Sequence, residues 1–400
     1  MYILVLNCGS SSVKFQLVDG RDQGCMARGL VERIGLPAPR LVYRLRDGAP
    51  LKKELSITDH AGAIAVALDM LTDPVYGVMK DKAEVVGVGH RVVHGGERFS
   101  DSVRITKEVL GEIKACERFA PLHNPHNLRG ILVCQELLPG APQVAVFDTA
   151  FHQTMPPEAY LYAIPMALYA KLKIRKYGFH GTSHKYVSEQ AARVLGRPLD
   201  DLKIITCHLG NGASMAAVQG GKSVDTSMGF TPLEGLVMGT RCGDIDPACV
   251  THIMYEEKLS PTQVDDLLNK KSGMLGLCEA TSDMRDIENH AMEGLEKFRL
   301  ALDIYCRRIR KYVGAYAAVL GGVDALVFTA GVGENSPIVR RMVCEDLGFL
   351  GVRLDEAKNE RSELIISTGS VAVLVIPTNE ELAIARDTIA VIGDGSPNIA

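Results

Sequence analysis

Two arginines in glycine-rich segments could bind an anionic substrate. Arg91 lies in the run His-Arg-Val-Val-His-Gly-Gly, and Arg241 lies in the run Met-Gly-Thr-Arg-Cys-Gly-Asp. A guanidinium group matches the geometry of carboxylate and phosphate oxygens, so the two side chains could hold a small acid and its phosphate. A surface ion pair is the alternative for either arginine taken alone.

Two further side chains could take part in phosphoryl transfer. Asp148 follows the apolar run Val-Ala-Val-Phe, where a carboxylate could position Mg²⁺ or a reacting oxygen, or simply cap a turn. His180 lies between glycines in Tyr-Gly-Phe-His-Gly-Thr-Ser-His and could donate a hydrogen bond to a transferring phosphoryl group. His184 could form a metal pair with His180, but without a third ligand this spacing disfavours a transition-metal site.

Three turns rich in small residues could bind phosphate through backbone N–H groups. Residues 7–12 and 209–214 each lie between two apolar strands, and Lys14 adds a positive charge just beyond the first turn. Residues 331–335 are predicted to form a glycine-rich loop between a buried strand and a helix, where a nucleotide could pack. Ordinary hairpin turns are the alternative for the first two. Neither a Walker motif nor a dinucleotide fingerprint is present in the sequence.

Two helix starts carry further candidates. Near the C-terminus, Thr378 and Glu381 fit a capping box, which leaves Glu380 free to face a magnesium ion and its water shell. Asp283 and Arg285 open another predicted helix and are available for ribose and phosphate.

The candidate residues lie among alternating short β-rich runs and helical patterns, so the sequence predicts a mixed α/β protein. Helices are expected at residues 183–195 and 294–320, and a third should begin at Ser336-Pro337 and end near Gly348. Residues 84–93 are expected to form a pair of strands interrupted by glycine.

The first two glycine-rich turns suggest an internal duplication. Each half of the chain contains one apolar hairpin with a small-residue tip, which favours two related domains that face a common cleft. Two unrelated hairpins are the alternative. The length of 400 residues suits two domains, and their boundary is expected near residues 151–156.

Composition excludes several classes of function. The formal charge is −4 and no Lys/Arg cluster is present, which argues against a nucleic-acid partner. The ten cysteines have no metal-binding spacing and suit a reducing cytoplasm. The apolar N-terminal run is too short for a membrane helix and is expected to be a buried strand.

The order of these motifs resembles the acetate kinase family. The resemblance rests on Asn-Cys-Gly-Ser-Ser-Ser, His-Leu-Gly-Asn-Gly-Ala-Ser, His-Arg-Val-Val-His-Gly-Gly, Phe-Asp-Thr-Ala-Phe-His, Tyr-Gly-Phe-His-Gly-Thr-Ser-His and Thr-Ala-Gly-Val-Gly-Glu-Asn. It implies an actin-like ATPase fold of two duplicated ribonuclease H-like domains with an active-site cleft between them. Residues 1–150 plus 382–400 would form the N-terminal domain, and residues 151–381 would form the nucleotide-binding C-terminal domain.

The resemblance also implies an activity. The family is a set of phosphotransferases with a carboxyl group as acceptor, which transfer a phosphoryl group directly and reversibly between ATP and acetate with Mg²⁺, for which Mn²⁺ can substitute. The implied products are acetyl phosphate and ADP, the implied assembly is a cytoplasmic homodimer, and hinge motion between the domains is expected to close the site. A propionate kinase is the nearest alternative; a dehydrogenase and an ATP-driven binding protein of the actin or Hsp70 kind are more distant ones.

Finally, the resemblance implies roles for individual residues. The expected catalytic residues are Arg91, Asp148, His180 and Arg241. Together with Arg91, the expected pocket for the acid consists of Val93, Leu122, Phe179 and Pro232. The expected nucleotide and phosphate contacts are Lys14, Ser10, Ser12, His208, Leu209, Gly210, Asn211, Gly212, Asp283, Met284, Arg285, Gly331, Val332, Gly333, Glu334 and Asn335. The expected metal-binding residues are Asn7 and Glu380.

Overall fold

The computed structural model describes residues 1–46 and 48–393. Its contacts divide the chain into two compact units: Met1–Gln153 with the chain from Asn379 onwards, and Thr154–Thr378. The sequence predicts that the first segment ends at residue 150 and that the chain returns to it at residue 382. Residues 394–400, which that analysis assigned to the first domain, lie outside the described residues.

The secondary structure alternates strands and helices, as the sequence predicted. The strands are β1 Tyr2–Cys8, β2 Ser12–Asp19, β3 Cys25–Glu32, β4 Arg40–Leu45, β5 Leu51–Glu54, β6 Val85–Val92, β7 Val103–Arg104, β8 Gln143–Phe147, β9 Lys203–Leu209, β10 Ala213–Gln219, β11 Lys222–Thr226, β12 Ala325–Thr329 and β13 Ala372–Val375. The α-helices are α1 His60–Leu71, α2 Lys107–Ala115, α3 Asn124–Leu137, α4 Pro157–Tyr160, α5 Met166–Leu172, α6 Gly181–Leu195, α7 Pro247–Glu256, α8 Pro261–Lys270, α9 Gly273–Cys278, α10 Met284–Met292, α11 Glu296–Leu320, α12 Ala330–Asn335, α13 Pro337–Cys344, α14 Glu356–Glu360 and α15 Glu380–Gly393.

Each unit contains one mixed sheet, and the two sheets share a common order. In the first unit, β1 pairs antiparallel with β2, which pairs antiparallel with β3; on the other side, β1, β6 and β8 are parallel. In the second unit, β9, β10 and β11 repeat the antiparallel half, and β9, β12 and β13 repeat the parallel half. The shared order confirms the duplication predicted from the two hairpins. Strands β4, β5 and β7 are additions to the first sheet.

The first sheet is covered by helices on both faces. Helices α1 and α3 pack over a cluster that includes Leu4, Leu6 and Phe15, while α15 packs over a second cluster that includes Ile3 and Val5. Alternate residues of β1 therefore point to opposite faces and are buried on both. This burial confirms that the apolar N-terminal run is a buried strand.

Glycine in β6 has a packing role that the sequence analysis misinterpreted. Residues 84–93 do not form two strands, because β6 is continuous from Val85 to Val92. A β-carbon at Gly87 would press against Ile392 of α15, and one at Gly89 would overlap Thr388 and Ile384 of the same helix. The glycines therefore allow the last helix to approach the sheet, rather than ending the strand.

Three local predictions were wrong at helix ends. Residues 331–335 belong to the short helix α12 and are not a loop. Helix α13 begins at Pro337 with Ser336 as its N-cap, as predicted, but ends at Cys344 and not near Gly348. In α15, the side chain of Asn379 accepts the backbone N–H of Leu382, so Asn379 and not Thr378 occupies the N-cap position.

Candidate functional site

Arg91 and Asp148 form a two-pronged ion pair in the first unit. Strands β6 and β8 are parallel neighbours, with Val92 opposite Phe147, so the residues at their carboxyl ends are brought together. The Arg91 guanidinium donates through Nε to Oδ1 of Asp148 (2.9 Å) and through Nη2 to Oδ2 (2.7 Å). Asp148 is 2% exposed, so this is a buried charge pair.

Glu380, the first residue of α15, is the third charged member of this group. Its carboxylate lies 3.8 Å from Nε of Arg91. Burial raises the pKa of Glu380, the Arg91 charge lowers it, and the neighbouring Asp148 charge raises it further. For Arg91 itself, burial acts to lower the pKa, but the charges of Asp148 and Glu380 outweigh burial and the pKa is raised. The Arg91 guanidinium therefore compensates the charges of two carboxylates, those of Asp148 and Glu380.

The first glycine-rich turn joins β1 to β2 and is held in place by three contacts. Within the turn, the N–H of Gly9 donates to the carbonyl of Ser12 (2.8 Å). From outside, Nε2 of His60 contacts the carbonyl of Gly9 (2.6 Å), and the amide of Asn127 donates to the carbonyl of Cys8 (2.9 Å). These contacts fix the backbone of the predicted phosphate turn.

The predicted side chains of this turn differ in what they contact. Among the described residues, the Asn7 amide has no hydrogen-bond partner, and Ser10 is exposed. Ser12 begins β2. Lys14, on the same strand, forms an ion pair with Glu381. Glu381 therefore does not serve the capping box that the sequence analysis assigned to it, whereas Glu380 lies beside Arg91.

Two asparagines that the sequence analysis missed orient the segment after β6. Oδ1 of Asn127 accepts the N–H of Val93 (3.1 Å), and Oδ1 of Asn124 accepts the N–H of His94 (3.1 Å). Because Asn127 also donates to Cys8, it ties the segment after Arg91 to the end of β1. The run Asn-Pro-His-Asn at the start of α3 was the available signal.

In the second unit, His180 belongs to a buried network of imidazoles and hydroxyls. Nδ1 of His180 and Nε2 of His184 each lie 2.8 Å from Oγ of Ser214. The rings of His180 and His208 stack, with centroids 4.2 Å apart. His180 has a positive φ of 57° at the N-cap of α6, a conformation that costs energy in a non-glycine residue.

Arg241 lies close to His180 at the tip of the β9–β10 hairpin. A β-carbon at Gly212 would lie 3.5 Å from Nη1 of Arg241 and 3.7 Å from Nε2 of His180. Nη1 of Arg241 donates to the carbonyl of Pro232 (3.2 Å). Burial lowers the pKa of Arg241, and no carboxylate of the described residues pairs with it. Arg241 is therefore a partly buried cation with no carboxylate partner in the described part of the chain.

A cavity of about 660 Å³ lies in the second unit beside the hairpin tip. Of the expected nucleotide contacts, those that line it are Gly210, Asn211, Asp283, Met284, Arg285, Gly331, Val332 and Asn335. Lining residues absent from the sequence-based set are Gly239, Met274, Ser282, Glu288, Tyr305 and Ser336. The Tyr305 hydroxyl is buried and has no hydrogen-bond partner among the described residues, which suits a cavity that receives a polar ligand.

The other expected nucleotide residues of the second unit do not line this cavity. Leu209 is fully buried in β9, and His208 contacts Ser183. Gly333 is packed against Phe328. Glu334 is turned inward, where its carboxylate accepts the backbone N–H groups of Ala330 and Thr378. Gly212 faces Arg241 and His180 instead.

Within the cavity lining, Asp283 and Arg285 contact each other. The Asp283 side chain caps α10 through the N–H of Arg285 (3.0 Å). The Arg285 guanidinium donates to both oxygens of Asp283, at 3.0 and 2.5 Å. A nucleotide contact from either side chain would therefore compete with this pair.

The four residues expected around the acid are divided between the units. Val93 and Leu122 belong to the first unit; Val93 is 6% exposed and Leu122 is 56% exposed. Phe179 and Pro232 belong to the second unit, where Phe179 is 2% exposed and precedes His180.

No cluster of three or more His, Cys, Asp or Glu side chains suited to a metal ion occurs in the described part of the chain. Within that part, no helix is both long enough and apolar enough to cross a membrane.

Comparison with known proteins identifies the family. The acetokinase family model matches residues 2–386. The acetate kinase of Carboxydothermus hydrogenoformans is 57% identical over 396 residues, covering 98% of this chain and 99% of that protein. The crystal structure of Porphyromonas gingivalis acetate kinase superposes with a TM-score of 0.94 at 48% identity, covering 98% of this chain and 99% of that one. A propionate kinase from Francisella tularensis gives a TM-score of 0.92 at 46% identity, covering 97% and 98%. This chain therefore belongs to the acetokinase family.

Proposed function

We propose that this protein transfers a phosphoryl group reversibly between ATP and acetate, producing acetyl phosphate and ADP. The attacking group is a carboxylate, which is already a competent nucleophile, so no strong general base is needed. Catalysis then depends on holding the reactants in line and on stabilising the charge of the transferring phosphoryl group. The full-length similarity to acetate kinases supports this reaction.

The observation that carries the proposal is the uncompensated charge of Arg241. A partly buried cation is costly unless an anion accompanies it, and none of the described carboxylates does so. A bound phosphoryl group would supply the missing negative charge. His180, whose Nε2 faces the same position at Gly212, is proposed to donate a hydrogen bond to that group.

Arg91 is proposed to bind the carboxylate of the acid. Its guanidinium is fixed by the two contacts with Asp148 and so presents its remaining N–H groups in a defined direction. In this proposal, Asp148 positions Arg91 and limits its positive charge, and Val93, two residues further on, packs against the methyl group of acetate.

Asn7 and Glu380 are proposed to bind Mg²⁺, and the residues present fit that ion. The Asn7 amide has no partner in the described structure, and burial raises the pKa of Glu380, so a cation would stabilise its ionised form. Mg²⁺ is usually bound through one or two protein oxygen ligands together with waters and substrate phosphates, rather than by an all-protein cage. When bound, Mg²⁺ neutralises charge on the nucleotide phosphates.

The direct test is a hydroxamate assay of acyl phosphate formation with ATP and acids of increasing chain length. We expect acetate to give the highest kcat/KM and the formation of ADP to depend on the acid. ADP formation at the same rate without any acid would instead indicate an ATPase.

Propionate kinase is the second candidate, because the propionate kinase structure resembles this chain nearly as well as the acetate kinase structure does. One methylene group contributes only about 1–3 kcal/mol of discrimination, so propionate is expected to be a poorer but measurable substrate.

Replacing Val93 with alanine should shift this preference toward longer acids. The side chain is buried at the end of β6, and its truncation would enlarge the space proposed for the methyl group. We expect the ratio of kcat/KM for propionate to that for acetate to rise by roughly tenfold. Leu132→Ala, a substitution of an exposed residue on α3, is the control. An unchanged ratio would remove Val93 from the acid pocket.

Replacing Gly331 with alanine should weaken ATP binding without destabilising the protein. Gly331 lines the cavity, and a β-carbon there would meet no protein atom within 4 Å. The methyl group would therefore clash only with a ligand, and we expect KM for ATP to rise by roughly tenfold. Gly111→Ala is the matched control, because Gly111 is an exposed helical glycine of α2 with equally open surroundings. If both variants have the native KM for ATP, the nucleotide does not contact Gly331.

A homodimer is proposed from exposed apolar side chains, and a cytoplasmic location is proposed from the cysteines. Residues of α5 and the segment before it expose Ile164, Met166, Leu168 and Leu172, a surface better suited to a partner than to water. All ten cysteines are unbridged, as expected in a reducing compartment. Light scattering should give twice the chain mass of 43.3 kDa; a Met166→Glu variant should shift the mass toward that of one chain.

A further inference from the structure

His180 stands at the end of a hydrogen-bonded chain that begins in the core of the second unit. Oγ1 of Thr206 lies 2.7 Å from Nδ1 of His184. Nε2 of His184 lies 2.8 Å from Oγ of Ser214, which in turn lies 2.8 Å from Nδ1 of His180. Three of these four residues, Thr206, His184 and Ser214, are 0% exposed.

The secondary structure accounts for this alignment. His184 lies in the first turn of α6 and His180 is the N-cap residue just before the helix, so both side chains lie at its N-terminal end. Thr206 lies opposite Ala216 in the β9–β10 ladder, and Ser214 lies two residues before Ala216, so both hydroxyls point to the same face of the sheet. Helix α6 packs against these two strands.

The Ser214 hydroxyl determines how protons are distributed along the chain. Among the described residues its oxygen contacts two ring nitrogens, and it has one proton to donate. When Ser214 donates to His180, Nδ1 of His180 carries no proton, and Nε2 of His184 must carry one. When Ser214 donates to His184, Nδ1 of His180 must carry the proton instead.

Two neighbouring features disfavour a positive charge on the His180 ring. Positive charge on its ring would lie near the Arg241 guanidinium, which reaches the same position at Gly212. It would also lie at the N-terminal end of α6, where the helix dipole is positive. The His208 ring is stacked on it, and His184 is linked to it through Ser214.

A neutral His180 can donate from Nε2 in one of the two arrangements only. Nε2 must carry the single ring proton, so Nδ1 must accept from Ser214. His184 must then donate from Nε2 to Ser214. In neutral His184, Nδ1 then accepts from Thr206, whose hydroxyl oxygen lies closer to that nitrogen (2.7 Å) than to the carbonyl of Ala216 (3.4 Å). The other arrangement leaves a lone pair on Nε2 of His180, which would repel a phosphoryl oxygen.

From this geometry we infer that Thr206, His184 and Ser214 are positioning residues that hold neutral His180 in the Nε2–H form. The inference rests on the proposed function, in which His180 donates to the transferring phosphoryl group. None of the three residues needs to touch the substrate, and no net proton transfer along the chain is required.

The variants His184→Gln and His184→Glu, whose new side chains have nearly the same shape, test the inference. His184→Gln can still donate an N–H to Ser214, whereas the ionised carboxylate of His184→Glu can only accept. The glutamate should therefore reverse the Ser214 hydroxyl and place the proton of neutral His180 on Nδ1. We expect kcat of His184→Glu to be roughly a hundredfold below that of His184→Gln at about pH 8, with KM for ATP similar in the two.

The dependence of kcat on pH distinguishes a reversed hydrogen-bond order from a general structural defect in the variant. Near pH 6, either a protonated glutamic acid donates to Ser214 or His180 carries protons on both nitrogens. In both cases Nε2 of His180 can donate again, so the ratio of kcat for His184→Gln to kcat for His184→Glu should fall by about tenfold. Equal kcat values for the two variants across this pH range would overturn the inference.

A second pair of variants covers the case in which a charge at position 184 prevents folding. Thr206→Val removes the hydroxyl and preserves the branched shape in β9, and Thr206→Ser restores the hydroxyl. We expect kcat of the serine variant to exceed that of the valine variant by about tenfold, with similar melting temperatures. Equal kcat in this pair would also contradict the inference.

Nitrogen-15 NMR of histidine-labelled native protein tests the inference independently of activity. The expected result is a neutral His180 with its proton on Nε2, and a proton on Nδ1 would overturn the inference. The NMR result could be as expected while turnover of ATP did not depend on a carboxylic acid substrate. In that case the proposed function would fail, but the inferred position of the proton on Nε2 of His180 would stand.

Discussion

Replacing Arg241 with alanine should lower kcat by roughly a thousandfold or more while leaving ATP binding largely intact. The guanidinium lies beside His180 at the hairpin tip and has no carboxylate partner among the described residues. The negative charge it is proposed to stabilise belongs to the transferring phosphoryl group, so its loss should affect the transition state more than the bound nucleotide. Steady-state kinetics together with calorimetric titration of the nucleotide would separate the two effects.

The stability of this variant should change little. An uncompensated buried charge contributes an unfavourable desolvation term to folding, and removal of Arg241 relieves that term while losing its hydrogen bond to Pro232. We expect the melting temperature to stay within about 3 °C of the native value. A large loss of activity with native stability is typical of a residue retained for function rather than for folding.

Two other variants sharpen the interpretation. Arg241→Lys keeps the charge but loses the planar fork, so its kcat should lie between those of the native protein and the alanine variant. Arg197→Ala removes an arginine of the same unit that pairs with Asp324, and it should keep native kcat. Near-native turnover of Arg241→Ala would refute the role assigned to Arg241.

Local sequence patterns were sufficient to predict the two hairpins. The Asn-Gly pair correctly indicated the hairpin between β9 and β10, although the tip comprises the three residues 210–212 and neither Asn211 nor Gly212 has the positive φ of a two-residue Asn-Gly turn. The apolar run Val-Ala-Val-Phe, which stops at Asp148, likewise located the end of β8. These features depend on residues close together in the sequence, which is why they could be predicted.

Features that depend on distant residues could not be predicted in this way. Sequence patterns do not distinguish Arg91 from Arg241. The pairing of β6 with β8 brings Arg91 against Asp148, whereas no carboxylate of the described residues pairs with Arg241. Gly89 was interpreted as a strand break because its contact, Thr388 of α15, lies at the far end of the chain. Ser214 was counted as part of a phosphate turn, whereas its hydroxyl lies between two imidazoles contributed by another element.

Arg91 and Asp148 should act together in catalysis, so their losses of activity should not add. In the folded protein, each charge should compensate the other. Asp148→Asn removes the acceptor charge that fixes the guanidinium, and Arg91→Ala removes the group proposed to bind the acid. We expect each substitution to lower kcat/KM for acetate by roughly a hundredfold or more. Because Asp148 is proposed to act through Arg91, the double variant should lose no more activity than the worse single variant.

The free energies of unfolding of the three variants should not follow the order of their activities. Arg91→Ala leaves Asp148 and Glu380 close together without the cation they share, and breaking a buried ion pair in this way costs about 3–5 kcal/mol. Adding Asp148→Asn removes one of the two repelling charges, so the double variant should be more stable than Arg91→Ala alone. Denaturant unfolding of the native protein and the three variants measures this coupling.

The pair Arg197 and Asp324 supplies the matched control. Its arginine side chain is 46% exposed, against 21% for Arg91, so solvent screens its charge and its coupling free energy should not exceed about 1 kcal/mol. If the losses in activity of Arg91→Ala and Asp148→Asn simply added in the double variant, Asp148 would act on the reaction independently of Arg91. It would then be a candidate for direct contact with the acid or the metal, which is the alternative role that a carboxylate after β8 could have.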